Sequence, residues 1–273
     1  MTGAAGGIGR ALCLELARSG VELALADCDI QGMQAVAQEV AALGPRTICV
    51  ETDVRNPRSI EALLERTLSE LGGCHLLFNN AGLFHGAPLL ETTEAQWEQV
   101  LQVNLHGVIH GSRIFGAHFL RQGEGHIVNT SSAAGLFPIP GMSGYSTTKS
   151  GLVAFSLQLR WELAESNIGV TVLCPGVVKT RIAMRPGVGL EHVDMEEITR
   201  KAPGPEGLAR KALQAVRKNK PLVRYAPDSY FFTFLRHWPL WIIDPFGRFM
   251  GRTAMKTVRK PAELPKDGSA SSM

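Results

Sequence analysis

Between residues 21 and 176 the chain alternates short runs that are apolar throughout with longer stretches of helical period, and that alternation leaves few folds open. VELALAD (21–27), TICVETDV (47–54), CHLLFNNAG (74–82), GHIVNTSS (125–132) and GVTVLCPG (169–176) read as strands. A strand without a polar side is buried on both faces, as in a parallel sheet. The stretches 30–43, 57–72, about 93–121 and 143–166 carry helical spacing between them. This order specifies an α/β fold: a doubly wound parallel sheet in three layers, helices covering both faces. KALQAVRKNKPLVRYAP (211–227) adds a basic helix and a last strand.

A chain of 273 residues with 45% hydrophobic and 19% charged content suffices for one large domain and is too ordinary for disorder. The sequence is expected to divide into an α/β domain over 1–225 and a basic, aromatic extension over 226–273. Cys13, Cys28, Cys49, Cys74 and Cys174 are scattered with no CxxC pair and no His at metal spacing. Neither a disulfide framework nor a metal site is expected, and reducing, cytoplasmic surroundings follow. The first residues do not read as a secretory leader. Charge is unevenly spread: residues 1–200 are net −6 and residues 201–260 net +10. The chain carries no nucleic-acid-binding motif, so nucleic acid is not the expected partner of that basic end.

The chemistry begins at the start of the chain. In TGAAGGIG, Gly3, Gly7 and Gly9 are spaced for a tight turn, close approach of backbone to a pyrophosphate, and a helix whose free N–H groups meet the phosphates. Ile8, Leu12 and Leu16 start the helical period and Gly20 ends it. Asp27 follows Gly9 by 18 residues at the end of the next strand, where a carboxylate accepts from ribose hydroxyls and repels a 2′-phosphate. The competing reading makes Asp27 the cap of the following helix. Cys28 brings no positive charge, so NAD is favoured over NADP. Tyr145 and Lys149 stand four apart on a helix and share a face, and Ser132 lies upstream. A cation beside a phenol favours its ionised form. His85, just after NNAG, reads as a satisfied loop histidine, with a substrate-facing role as the alternative, and His106 and His110 are discounted as a metal pair because no carboxylate or third ligand accompanies them.

Taken together, these stretches resemble the short-chain dehydrogenase/reductase family in its single-domain, Rossmann-like form, from Thr2 to about Arg181. TGAAGGIG is similar to the family's TGxxxGIG. TDV, with Asp53 and Val54, resembles its adenine-contacting turn, and NNAG, with Asn80, Ala81 and Gly82, its structural strand end. VNLHG supplies Asn104, and CPGVVKT resembles the nicotinamide-contacting segment, with Pro175, Gly176, Val178 and Thr180. The resemblance implies that Gly3, Gly7, Ile8, Gly9 and Asp27 bind cofactor. It makes Tyr145 the general acid/base, with Lys149 lowering its pKa and binding the nicotinamide ribose. Ser132 orients the substrate oxygen, and Asn104 holds a proton-relay water. The implied activity is NAD-dependent interconversion of a secondary or allylic alcohol and its carbonyl. Two rivals share part of the pattern: a non-redox epimerase or dehydratase, and a non-catalytic NAD-binding interaction protein.

The resemblance also implies an apolar strand before TG at the centre of the sheet. The chain is accordingly expected to be an N-terminally shortened form whose first strand is missing. Beyond residue 200 the pattern is the chain's own. Residues 225–249 hold nine of the 18 Phe, Trp and Tyr. Phe231, Phe234, Leu235, Trp238 and Trp241 recur at helical spacing, and Pro239 and Pro245 are expected to break the run. No uncharged stretch reaches the ~18 residues of a membrane span. The segment 229–252 reads as a peripheral membrane contact, a roof over a lipophilic substrate such as a steroid, retinoid or long-chain alcohol, a subunit contact, or extra core. A homodimer or homotetramer is expected.

Overall fold

The computed structural model describes residues 1–180 and 199–258, with side chains through 255. Strands β1 (Leu23–Asp27), β2 (Thr47–Glu51), β3 (Leu76–Asn79), β4 (Gly125–Thr130), β5 (Ile168–Pro175) and β6 (Leu222–Tyr225) alternate with helices. The helices are α1 (Gly7–Arg18), α2 (Ile30–Ala41), α3 (Pro57–Leu71), α4 (Glu94–Leu101), α5 (Gly107–Gln122), α6 (Ser143–Glu162) and α7 (Pro205–Arg217). All ladders are parallel: β1 pairs with β2, and β3, β4, β5 and β6 follow one another. This is the α/β, doubly wound architecture that the alternation of segments specifies. β2 and β3 end short of the expected 54 and 82, because Asp53–Val54 and Asn80–Gly82 leave the ladder.

Successive side chains on a strand point to opposite faces, and here both faces are covered. Leu23, Leu25, Phe78, Val128 and Leu173 meet Leu12 and Leu16 of α1, Val36 of α2 and Leu208 of α7. Their neighbours Ala24, Ala26, Leu77 and Ile127 face the other way, against Leu63 of α3 and Phe115 and Phe119 of α5.

The sheet is in two blocks. Among the described residues, only the start of the chain runs between β1 and β3. The Met1 amino group donates to Ala24 O at 2.9 Å, and Ala26 N donates to Met1 O at 2.9 Å. Thr2 N donates to Phe78 O at 3.0 Å, and Thr2 bridges Ala26 in parallel. Towards the N-terminal ends of β1 and β3 lies a cavity of about 510 Å³, lined by Met1, Val21, Leu23, Leu76, Phe78 and Phe115 among others.

Two helices differ from expectation. Residues 93–121 form not one helix but α4 and α5, joined by the π-helical turn Gln102–His106. That wider turn carries Asn104 to a fully buried position. After β6, α8 (Pro227–Arg236) and α9 (Leu240–Val258) are separated by Pro239 as expected, but Pro245 lies inside α9 without ending it. The proline sits in the first two turns, where its missing N–H removes one ladder bond and leaves the rest of the helix to continue.

Candidate active site

Helix α1 emerges directly from the glycine loop. Gly3 has φ of 65°, a left-handed conformation that a side chain would strain. A Cβ at Gly9 would overlap the Gly3 carbonyl, and one at Gly7 would come 2.7 Å from the Thr180 side chain. Loop, helix and the segment after β5 therefore touch with no room for side chains. Ile8 packs on the core, leaving only backbone at the loop. No side chain caps α1 and its first turn holds no acid. Its free N–H groups and positive end suit a pyrophosphate, so the residues present fit a dinucleotide cofactor.

Asp27, at the end of β1, accepts from Ala5 N at 2.9 Å and from Asp29 N at 3.0 Å, tying the glycine loop to the strand. It does not cap α2. That cap is Asp29, which accepts from Gly32 N at 2.9 Å. Both carboxylate oxygens of Asp53 are engaged by Arg55, at 2.6 to 3.0 Å. The Arg55 hydrogen bonds hold the Asp53 carboxyl below its ordinary range. Val54 is buried against Gly107, where a Cβ would come 2.8 Å from it.

The turn after β3 is laced to the loop. Asn80 N and Ala81 N donate to Thr2 Oγ1 at 3.0 and 3.1 Å, and Asn80 Nδ2 donates to Gly3 O at 3.1 Å. Asn104 clamps the next residue, accepting from Leu83 N at 2.8 Å and donating to Leu83 O at 2.9 Å. Gly82 lies between two site residues: a Cβ there would be 3.2 Å from Asn104 Oδ1 and 3.4 Å from Lys149 Nζ.

Ser132, Tyr145 and Lys149 converge at this edge. Ser132 follows β4; its side chain accepts from Ala134 N at 3.2 Å and lies within reach of the Tyr145 phenol. Helix α6 carries the other two, with Lys149 Nζ 5.7 Å from the Tyr145 ring centre and donating to Thr130 O at 2.9 Å. Phe84 meets the Tyr145 ring edge-on at 5.1 Å. Burial pushes the Tyr145 phenol up, with the Ser132 hydrogen bond opposing. Burial pushes the Lys149 ammonium down to about 8. The expected lowering of the phenol pKa by Lys149 is thus not a property of the chain alone, because desolvation outweighs the nearby cation.

The fourth wall follows β5. Pro175 closes the strand, Gly176 N donates to Tyr225 O at 2.7 Å, and Val178 and Thr180 are buried. Arg181, where the resemblance ends, lies outside the described residues. Asp228 of α8 accepts from Val177 N at 2.9 Å, and Ser229 donates to Cys174 O at 2.6 Å. Sequence reasoning missed both; the only signal was an acid in the first turn after Pro227. It also missed Asn79, whose amide donates to Asn129 Oδ1 at 2.9 Å and to Ser112 Oγ at 3.2 Å across a buried β3–β4 rung. His106 and His110 face one another at 6.4 Å between ring centres. Among the described residues no three His, Cys, Asp or Glu groups are placed to hold a metal ion. Nor, among them, is any helix long and apolar enough to cross a membrane.

The short chain dehydrogenase family profile matches residues 1–187. A probable oxidoreductase, EphD, of Mycobacterium bovis is 36% identical over 242 residues, covering 84% of this chain and 41% of that protein. This chain thus spans about two fifths of the length of that relative. A cyclohexanol dehydrogenase of an Acinetobacter species is 34% identical over 181 residues, covering 66% of this chain and 72% of that one. Among solved structures, a short chain dehydrogenase/reductase from Burkholderia phymatum in complex with NAD superposes with a TM-score of 0.77 at 30% identity, covering 97% and 96% of the two chains.

Proposed function

The chain belongs to the short-chain dehydrogenase family, and from that premise we propose that it interconverts a lipophilic secondary or allylic alcohol and its carbonyl with NAD. The observation that carries this reading is the convergence of Ser132, Tyr145 and Lys149 beside the uncapped glycine loop, at the carboxyl ends of β1, β3, β4 and β5. Ligands of open α/β sheets bind at that edge.

Gly3, Gly7, Gly9 and Asp27 would hold the dinucleotide, with Lys149, Asn80, Pro175 and Thr180 towards its nicotinamide end. When bound, it supplies the hydride acceptor or donor. Tyr145 Oη takes the proton of the alcohol in one direction and returns it in the other. The Ser132 hydroxyl donates to the substrate oxygen and fixes its position. The Lys149 ammonium, anchored by Thr130 O, supplies positive charge near the phenol. Asn104 positions the Leu83 backbone beside the pair and completes the proton relay.

The NAD preference rests on Asp27, a carboxylate at the end of β1, while Arg55, in the turn after β2, is already engaged by Asp53. The lipophilic class rests on the aromatic extension, and the cyclohexanol dehydrogenase relative supports it. Trp161 on α6 and Leu120 on α5, 71% and 55% exposed, support a homodimer or homotetramer.

Reduced-nicotinamide absorbance over a panel of cyclic and long-chain secondary alcohols tests the reading. Turnover that falls at least a hundredfold in Tyr145→Phe, with cofactor affinity nearly unchanged, is the expected result. Activity above a hundredth of wild type in that variant refutes the role of Tyr145. Substrate conversion without net NADH points to epimerase or dehydratase chemistry instead.

A further inference from the structure

Helices α8 and α9 have two unlike sides. Their inner side packs against the loop beyond Ser132: Phe232 stacks on Phe137 at 5.5 Å between ring centres, and Phe246 lies 6.4 Å from the same ring. Ser229 pins the start of α8 to β5. Inner residues Ile242, Ile243, Phe246 and Met250 are partly covered.

The outer side should be polar in a helix that only supplies core, and it is not. Trp241, Pro245, Arg248, Phe249 and Arg252 follow one another at helical spacing along α9, and all are exposed. Trp241 is 77% exposed and Phe249 66%. At the α8–α9 junction Leu240 is 77% exposed, and Phe234 and Trp238, both exposed, contact each other at 5.3 Å. The patch has a sign as well. Arg248 and Arg252 lie along it, and the acid on that side, Asp244, is paired with Arg248 at 2.7 Å. Exposed rings interleaved with arginines match the interface of an anionic bilayer, where indole and phenyl groups enter the headgroup layer and guanidinium groups meet phosphates.

We infer that the outer face of α8–α9, built from Phe234, Trp238, Trp241, Phe249, Arg248 and Arg252, docks the protein on anionic phospholipid membranes. A second copy of the chain is the poorer occupant. A two-fold contact sets the patch against itself, and its acid, Asp244, is already engaged by Arg248, so a second copy offers Arg252 no free carboxylate from this patch. The two sides of α8–α9 then connect: the helices that touch the loop of Ser132 on one side rest on acyl chains on the other. A lipophilic alcohol thereby reaches the site from the bilayer, a consequence that rests on the proposed function.

The experiment uses the full 273-residue chain and sucrose-loaded vesicles of phosphatidylcholine, with or without phosphatidylglycerol. Sedimentation is expected only with phosphatidylglycerol, accompanied by a blue shift of Trp emission. Trp241→Ala with Phe249→Ala should weaken it about tenfold or more, and so should Arg248→Gln with Arg252→Gln. Because these residues are exposed, melting temperature and turnover of a short, water-soluble alcohol should stay at wild-type values. Loss of all turnover, even in wild type, would overturn the oxidoreductase reading and leave the vesicle result standing. Wild-type protein that ignores phosphatidylglycerol vesicles, or variants that bind as well as wild type, overturn docking. A wild-type oligomer that dissociates in the Trp241→Ala, Phe249→Ala variant without lipid assigns the patch to a second copy and also overturns it.

Discussion

Joining a short apolar strand in front of Met1 should stabilise this fold by filling the cavity between β1 and β3. The cavity between β1 and β3 measures about 510 Å³, and at ~24 cal/mol per Å³ a sealed apolar void of that size costs on the order of 12 kcal/mol. The cavity is open to solvent on one side, and ordering each added residue costs about 1–2 kcal/mol, so the expected net gain is about 5 kcal/mol. For a domain of this size that raises the melting temperature by roughly 10–20 °C. The extension has a second effect. The Met1 amino group is buried against Ala24 O, and burial lowers its pKa; an amide there removes an ionisable group from the core. The assay is a pair of thermal melts by circular dichroism for the 273-residue chain and for one carrying about five Val and Ile residues in front, each with and without NAD. If the extended chain melts within about 3 °C of the shorter one, the cavity is a solvated groove and the reasoning fails.

Asp27→Ala with Cys28→Arg should shift preference towards NADP, since it removes a carboxylate from the ribose end and adds a phosphate partner; an unchanged ratio of kcat/KM for the two cofactors would show that another group decides. Stability should also rise with pH. Lys149 is depressed from 10.5 to about 8, so its contribution is present above its ordinary value and is lost as pH falls through about 8. Met1 acts with the same sign below its ordinary 8.0. Tyr145, raised above 10.0, acts oppositely and is lost at higher pH still. Melting temperature should therefore climb between pH 8 and 10, and Lys149→Met should flatten that climb; an identical slope in the variant would rule out Lys149 as its source.

Much of this protein is visible in local pattern, because each local rule has one geometric solution. Strands apolar on both faces can only be buried in a parallel sheet, hence β1 to β5. A spacing of four on a helix puts Tyr145 and Lys149 side by side before any neighbour is known. A glycine loop that runs straight into Ile8, Leu12 and Leu16 must present helix N–H groups at its turn. The family resemblance brought Asn80 and Thr180 into the same picture as Ser132, and the fold places all three at one edge of the sheet.

What tertiary structure alone decides are properties that depend on residues far apart in the chain. The helical pattern from 93 to 121 runs unbroken, and only packing against the Leu83 backbone selects the π turn that buries Asn104. Asp228 looks like an ordinary acid at a helix start until α8 swings it under Val177. Asn79 and Asn129 are 50 residues apart, and their shared rung exists only because β3 and β4 fall into register. The sign of the Tyr145 shift turned on burial as well: the spacing supplies a cation, but the enclosing sheet and helices remove the water, and the desolvation of both groups wins. Periodicity and spacing encode which side chains share a face. Burial, register and electrostatic balance are set by what the rest of the chain packs against that face.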